Sequence, residues 1–271
     1  MQAPKKKMNK IDTIRDLDDE VFEIFQEYFP KTQNSKFIKT YPKTNLLISM
    51  LDTSGNFIKN SIFDCCETDD YYGMKILYRS LIEHYIRYKY IFIKWTITKS
   101  DEFSNDYFEF NNAREVLDLI KAKVSEKQLY DTSYKIEDWN RLLKDHPQFK
   151  NKTRKQVEKE TSKYSFKNII RFLNIELKKG EQEMSEFLGK LIVEYSELSS
   201  FVHGGMKSYQ EMMVLDEEKR EQEYNRISGL SFQLSGSIKM FNLILYLQTD
   251  KDNFEKNYLK MDKVLKRINE V

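Results

Sequence analysis

An all-α fold is the architecture this sequence predicts, and three observations carry it. Eight glycines and four prolines in 271 residues are too few for the closely spaced turns of a sheet-rich protein. Apolar residues recur at helical spacing almost throughout. Aromatic residues reach 14% in a chain that is 32% charged, which disordered chains do not match. The length suits one generous core or two small ones. With neither an internal repeat nor a Ser/Gly-rich linker, the expectation is a single multi-helix bundle with an N-terminal helical arm. A basic tail and arm would occupy 1–42, and the helical domain 43–271.

The first helix is expected from Ile11 to Tyr28, ending ahead of Pro30, because the residue before a proline is pushed out of the helical region. A second opens after Pro42, with Leu46, Leu47, Met50 and Leu51 on one face, and Gly55 as a point of interruption. Thr68, Asp69 and Asp70 supply capping oxygens and negative charge for a helix over Tyr71–Trp95. Another spans Asp101 to Lys127, after which residues 128–165 read as looser, with Trp139, Leu142, Leu143 and Pro147. Helices over Phe166–Leu177, Gln182–Val202, Glu217–Leu247 and Phe254–Ile268 complete the chain. Tyr71–Trp95 is apolar nearly all round and so belongs at the centre, against Gln182–Val202 and Glu217–Leu247.

Forty-five basic and forty-three acidic residues leave a formal charge of +2, which excludes a uniformly basic nucleic-acid glove and an acidic solvating chain. Bridging the adjacent Cys65 and Cys66 would distort the backbone, so reduced thiols and a cytoplasmic protein are expected. The lysine-rich start runs into Ile11-Asp12-Thr13-Ile14-Arg15-Asp16, where a signal peptide would have an apolar core. No apolar run is long enough for a membrane span.

The chemistry of sites narrows further by elimination. The three histidines, His84, His146 and His203, are not paired at metal-ligand spacing, and Cys65-Cys66 is not a CxxC, so no metal is expected. Neither nucleotide fingerprint, GxxxxGK[ST] or GxGxxG, is present, nor is a GxSxG elbow, and no cofactor is expected.

Two places attract attention. Arg79 and Glu83 stand one turn apart on the most apolar helix, where a charge costs several kcal/mol unless partners satisfy it. They form either an interhelical clasp or part of a site. Tyr195, Ser199 and His203 follow one another at steps of four, and Gly204-Gly205 then stops the helix. At a helix C-terminus the dipole favours a protonated imidazole; a capping or tyrosine-bonded histidine is the plainer alternative. Between Lys144 and Arg171 lies a basic segment interspersed with aromatics, and Lys150, Lys152, Arg154 and Lys155 are its candidates for a phosphate backbone. An ordinary solvated linker is the alternative there.

The stretches Tyr78-Arg79-Ser80-Leu81-Ile82-Glu83 and Tyr195-Ser196-Glu197-Leu198-Ser199-Ser200-Phe201-Val202-His203 resemble a bacterial helical family that looks related to the HEPN superfamily of ribonucleases of toxin–antitoxin and anti-phage systems. The resemblance covers roughly Asn45 to Leu247. It implies metal-independent RNA cleavage in a site composed across a homodimer, with Arg79, Glu83, His203 and Ser199 as catalytic candidates. Arg79 would bind phosphate, Glu83 would orient Arg79, and His203 would act as acid or base. The superfamily's Arg-x4–6-His signature also fits Arg79 and His84, but five helical residues turn the second side chain about 140° away, so His84 reads as a core or interface residue. The competing expectation is a non-catalytic module that binds a partner protein, with the same residues as a buried clasp. A pocket that senses a small ligand is a third.

Overall fold

The computed structural model describes residues 10–134, 146, 149–177 and 182–270. The basic tail at Lys5–Lys7 and the loose segment with Trp139, Leu142, Leu143 and Pro147 lie outside the described residues. Among the described residues there are eleven α-helices and no strand. In chain order these are α1 (Lys10–Thr32), α2 (Lys36–Thr40), α3 (Pro42–Glu67), α4 (Tyr71–Thr98), α5 (Glu102–Gln128) and α6 (Arg154–Thr161). They continue with α7 (Phe166–Leu177), α8 (Gln182–Val202), α9 (Met206–Met213), α10 (Glu217–Leu247) and α11 (Lys251–Arg267).

Helix α4 stands at the centre, as its sequence requires. It packs on α3, α8, α10 and α7, and Tyr78, Leu81, Ile82, Ile86, Tyr88 and Ile91 are fully buried. Asp70 starts it by accepting a hydrogen bond from the Gly73 N–H at 2.9 Å. The expected arm is docked: α1 lies along α10 and α11 and buries Ile14, Leu17, Val21 and Tyr28 in the main core. A smaller core of Ala113, Leu117, Ile120, Val124, Phe149 and Val157 holds α5 and α6 together.

Several boundaries differ from the sequence reading, each for a local reason. Helix α1 runs through Pro30 to Thr32. Pro30 and Gln26, whose carbonyl loses its partner, are both exposed, while Tyr28 and Thr32 on the inner side are buried. Gly55 does not interrupt α3. Its Cα faces Ile238 and Leu81 at a distance where even an added methyl would make ordinary contacts of 3.7 and 3.8 Å. Helix α3 lacks a side-chain cap of its own, and Asp101 supplies one from 57 residues away, accepting the Thr44 N–H at 2.6 Å and the Lys43 N–H at 2.8 Å. Helix α6 is initiated by a capping box between Thr153 and Gln156, a signal present in the sequence of the segment read as loose. Helix α9 is also additional, and most of its apolar side chains face outward.

Charges enter the core only in company. Lys59 pairs with Asp18, and the Lys239 ammonium reaches Asp52 at 3.2 Å, Asn56 at 3.3 Å and Ser235 at 3.4 Å. Asp52 also accepts from Asn242 at 3.0 Å, and Asn242 in turn accepts the Tyr88 hydroxyl. Both cysteines are free. Burial, and for Cys65 the carboxylate of Asp70, pushes their thiols up, Cys66 to about 11.

Two stability changes follow. Asp52→Ala strands the Lys239 ammonium and should cost about 3–5 kcal/mol in urea unfolding. Gly55→Ala should instead raise stability by about 0.5–1 kcal/mol, through helix propensity alone.

Candidate functional site

Helix α4 presents Arg79, Glu83 and Arg87 along one side, toward α8 and α5. Arg79 is half-buried and points at α8. Its Nη2 donates to the Tyr195 hydroxyl at 2.7 Å and its Nε to the Ser199 hydroxyl at 3.3 Å, while its guanidinium carbon lies 4.1 Å from the Tyr195 ring centroid. The Tyr195 hydroxyl donates onward to Glu83 at 3.1 Å. Phe166 covers Tyr195 from α7, ring centroids 4.2 Å apart.

The acid on this helix does not pair directly with Arg79. Glu83 takes two hydrogen bonds from Arg87, at 3.0 and 2.7 Å, and Arg87 also donates to the Tyr107 hydroxyl at 3.0 Å. The hydrogen-bonded route from Glu83 to Arg79 passes through Tyr195, and the attraction of their charges acts beside it. Burial raises the Glu83 carboxyl, but the hydrogen bonds and charge of Arg87, the Tyr195 hydroxyl and the charge of Arg79 outweigh it and hold it below 4.5. Burial and the Glu83 charge push Tyr195 up, so its hydroxyl keeps its proton and can donate to Glu83 while accepting from Arg79.

Arg79 therefore differs from its charged neighbours. Among the described residues no carboxylate lies within ion-pair distance of it; its partners are neutral hydroxyls. Arg87 is answered by Glu83, Lys75 by Glu211 and Glu223, and Arg226 by Glu194 and Glu223. These last groups form a second belt between α4, α8, α9 and α10, which Tyr71 and Tyr78 join through Glu211 and Glu194.

His203 closes α8. Gly204 follows at φ 60°, and the Gly205 N–H reaches the Ser200 carbonyl at 2.7 Å, a six-residue closure that glycine makes easy. The Tyr72 hydroxyl donates to the Phe201 carbonyl at 2.6 Å and ties this end of α8 to α4. The imidazole itself is exposed, and no described residue hydrogen-bonds it, so it caps no carbonyl and bonds no tyrosine. It lies one turn, about 6 Å along the axis, beyond Ser199.

The structure thus joins Arg79, Ser199 and Glu83 through Tyr195, and leaves His203 at the solvent end of the same helix. Tyr195 was singled out in the sequence beside Ser199 and His203, but not as the link between Arg79 and Glu83; Arg87 was not nominated, although the four-residue spacing of Glu83 and Arg87 was visible there. His84 is half-buried, its Nδ1 2.9 Å from the Ser80 carbonyl oxygen, on a different side of α4 from Arg79. Among the basic candidates, Lys152 pairs with Glu160 and Arg154 with Glu158, whereas Lys150 and Lys155 are exposed on α6 and the turn before it.

A family model described as a family of unknown function (DUF5677) matches residues 46–222. The chain belongs to that family. The DUF5677 region takes in α3 to α9 and the start of α10, and with them Arg79, Glu83, Tyr195, Ser199 and His203; α1 and α11 lie outside it. No curated protein and no solved structure matches the chain. Among the described residues no helix is long and apolar enough to cross a membrane, and no cluster of His, Cys or acidic residues could hold a metal.

The depressed carboxyls set the acid response. For Glu223, burial raises the carboxyl, but Arg226 and Lys75 hold it down at about 2. Such groups add stability that is complete above the ordinary value of 4.5 and is lost as pH falls through the folded-state value. Unfolding free energy should therefore fall between about pH 5 and about pH 2, and the Glu83→Gln, Glu223→Gln double variant should show a shallower fall over that window.

Proposed function

We propose that the α4/α8 face is an RNA phosphate site and that the protein is a HEPN-like, metal-independent ribonuclease with a toxin or anti-phage role. One observation supports this most: the half-buried Arg79 guanidinium is oriented by neutral hydroxyls, so its charge remains available to an anion, while the cations around it are neutralised by carboxylates. Arg79 would clamp non-bridging phosphate oxygens. The exposed His203 would take the proton from the ribose 2′-hydroxyl. That oxygen then attacks phosphorus, the bond to the 5′-oxygen breaks, and the leaving oxygen is protonated, giving a cyclic phosphate and a 5′-hydroxyl. Ser199 and Tyr195 would hold the guanidinium, with Glu83 acting through Tyr195. Lys150 and Lys155 would meet the strand further along, and a homodimer would bring a second copy of the site alongside.

A non-catalytic role in a partner-binding complex is favoured by a different observation. The outer side of α9 exposes Met206, Tyr209 and Met213, the last 86% exposed, immediately after His203.

Cleavage of labelled single-stranded RNA in excess EDTA tests the first reading. His203→Asn and Arg79→Ala should each lower the rate by about 10²-fold or more. Because His203 is exposed and unbonded, His203→Asn should leave unfolding free energy within about 0.5 kcal/mol of the parent. Equal rates in parent and His203→Asn, or no cutting by the parent, would remove support for the nuclease in favour of the interaction module.

A further inference from the structure

A cavity of about 530 Å³ opens between α3, α4 and α5, on the far side of Glu83 from Arg79. Its inner wall is apolar, with Leu47 and Leu51 buried, and Met50 and Phe108 half-cover the rim. Ser54, Asn112 and the carboxylate of Glu115 are exposed at its mouth, and three polar groups deeper in are held in place by their own hydrogen bonds. His84 sends its Nδ1 to the Ser80 carbonyl oxygen at 2.9 Å. A carbonyl only accepts, so Nδ1 carries the hydrogen, and the tautomer this selects has Nε2 as its acceptor. Arg87 uses two N–H groups on Glu83 and one on Tyr107, so two of its five remain. Asn111 donates to the Tyr107 carbonyl at 2.7 Å, which fixes its amide and leaves its oxygen free.

This set selects a ligand class. A free anion is disfavoured, because the one cation in reach, Arg87, is already neutralised by Glu83. A purely apolar ligand would leave the histidine acceptor, the amide oxygen and the remaining guanidinium N–H groups without partners. What satisfies both walls is a flat body with apolar faces and an edge of alternating donors and acceptors. We propose that the cavity binds a nucleobase, its faces between the α3 leucines and Phe108 and its edge on His84, Asn111 and Arg87. The volume falls within the range of small-molecule sites, roughly 300–1,000 Å³. This requires neither Arg79 nor His203, and holds whether or not the protein cuts RNA. The base can come from a free nucleoside or from an RNA strand.

Isothermal titration of the full chain with adenosine, guanosine, cytidine and uridine, and with a short single-stranded RNA, tests it. At least one nucleoside should bind. His84→Leu should weaken that binding about tenfold by removing the acceptor. Ser54→Trp, at an exposed position on the cavity rim, should abolish it with the melting temperature unchanged; Asn112→Trp, also exposed, serves if that variant does not fold. RNA binding displaced by nucleoside assigns the base to a strand, and nucleoside binding without RNA binding assigns it to a free molecule. No binding of any nucleoside at millimolar concentration, or binding unaffected by both a rim variant and His84→Leu, overturns the proposal. RNA cleavage by a chain that binds no nucleoside would overturn this inference alone, and nucleoside binding by a chain that does not cut would overturn only the nuclease.

Discussion

A charged group on a helix enclosed on four sides must be answered by a group on another helix, and much of this structure follows from that requirement at α4. Lys75, Arg79, Glu83 and Arg87 sit among residues that pack against α3, α7, α8 and α10. Water cannot satisfy them fully, so Glu211, Glu223, Tyr195, Ser199 and Tyr107 do. Such contacts contribute little net stability over a well-packed apolar alternative, yet losing one partner is expensive. Their effect is on register. If α8 slid by one turn against α4, Arg79 would lose its paired hydroxyls at Tyr195 and Ser199 in that arrangement, and the Tyr72 bond to the end of α8 would break.

Within that stripe the compensation is uneven, and the unevenness separates structure from candidate chemistry. The belt between α4, α8, α9 and α10 sets Lys75 and Arg226 among three carboxylates and has no uncompensated cation to offer. The contact of α4 with α8 is made by hydroxyls, which orient a guanidinium without neutralising it. A hydroxyl also costs less to displace than a carboxylate when an anion arrives. The exposed histidine ends the same helix, on a turn pinned by Tyr72 and Gly204. The Arg79 guanidinium of α4, held against α8, and the solvent-facing imidazole at the end of α8 are the groups that the proposed phosphodiester chemistry would use.

The central helices were legible in sequence because their signals are local. Asp70, the apolar run of α4 and the Gly204-Gly205 stop each act within a turn of where they lie. So did the pairing of segments: a residue such as Arg79 needed a polar partner, and Tyr195 and Ser199 were the hydroxyls at helical spacing. Apart from the local capping box of α6, much of what escaped was carried by contacts between distant positions. Asp101 caps a helix 57 residues before it, and nothing around Thr44 announces this. Glu83 offers two arginines equally, one turn to either side, and only the placement of Tyr107 on α5 draws Arg87 to it. Pro30 was misjudged because a proline penalty is modest where the orphaned carbonyl is exposed.

Helical geometry also explains why the arginine and histidine of the 79–84 segment do not form one site within a chain. Five residues carry His84 about 140° round α4 from Arg79, with Arg87 about 80° round and so between them. Arg79 faces α8, His84 faces the space between α3 and α5, and the Nδ1 of His84 is engaged by its own helix. The histidine in line with Arg79's partners is the one that closes α8, four residues after Ser199. One buried helix thus serves two separate faces. Glu83 and Arg87 stand between these faces as the shared wall that keeps each cation and each ring in its own orientation.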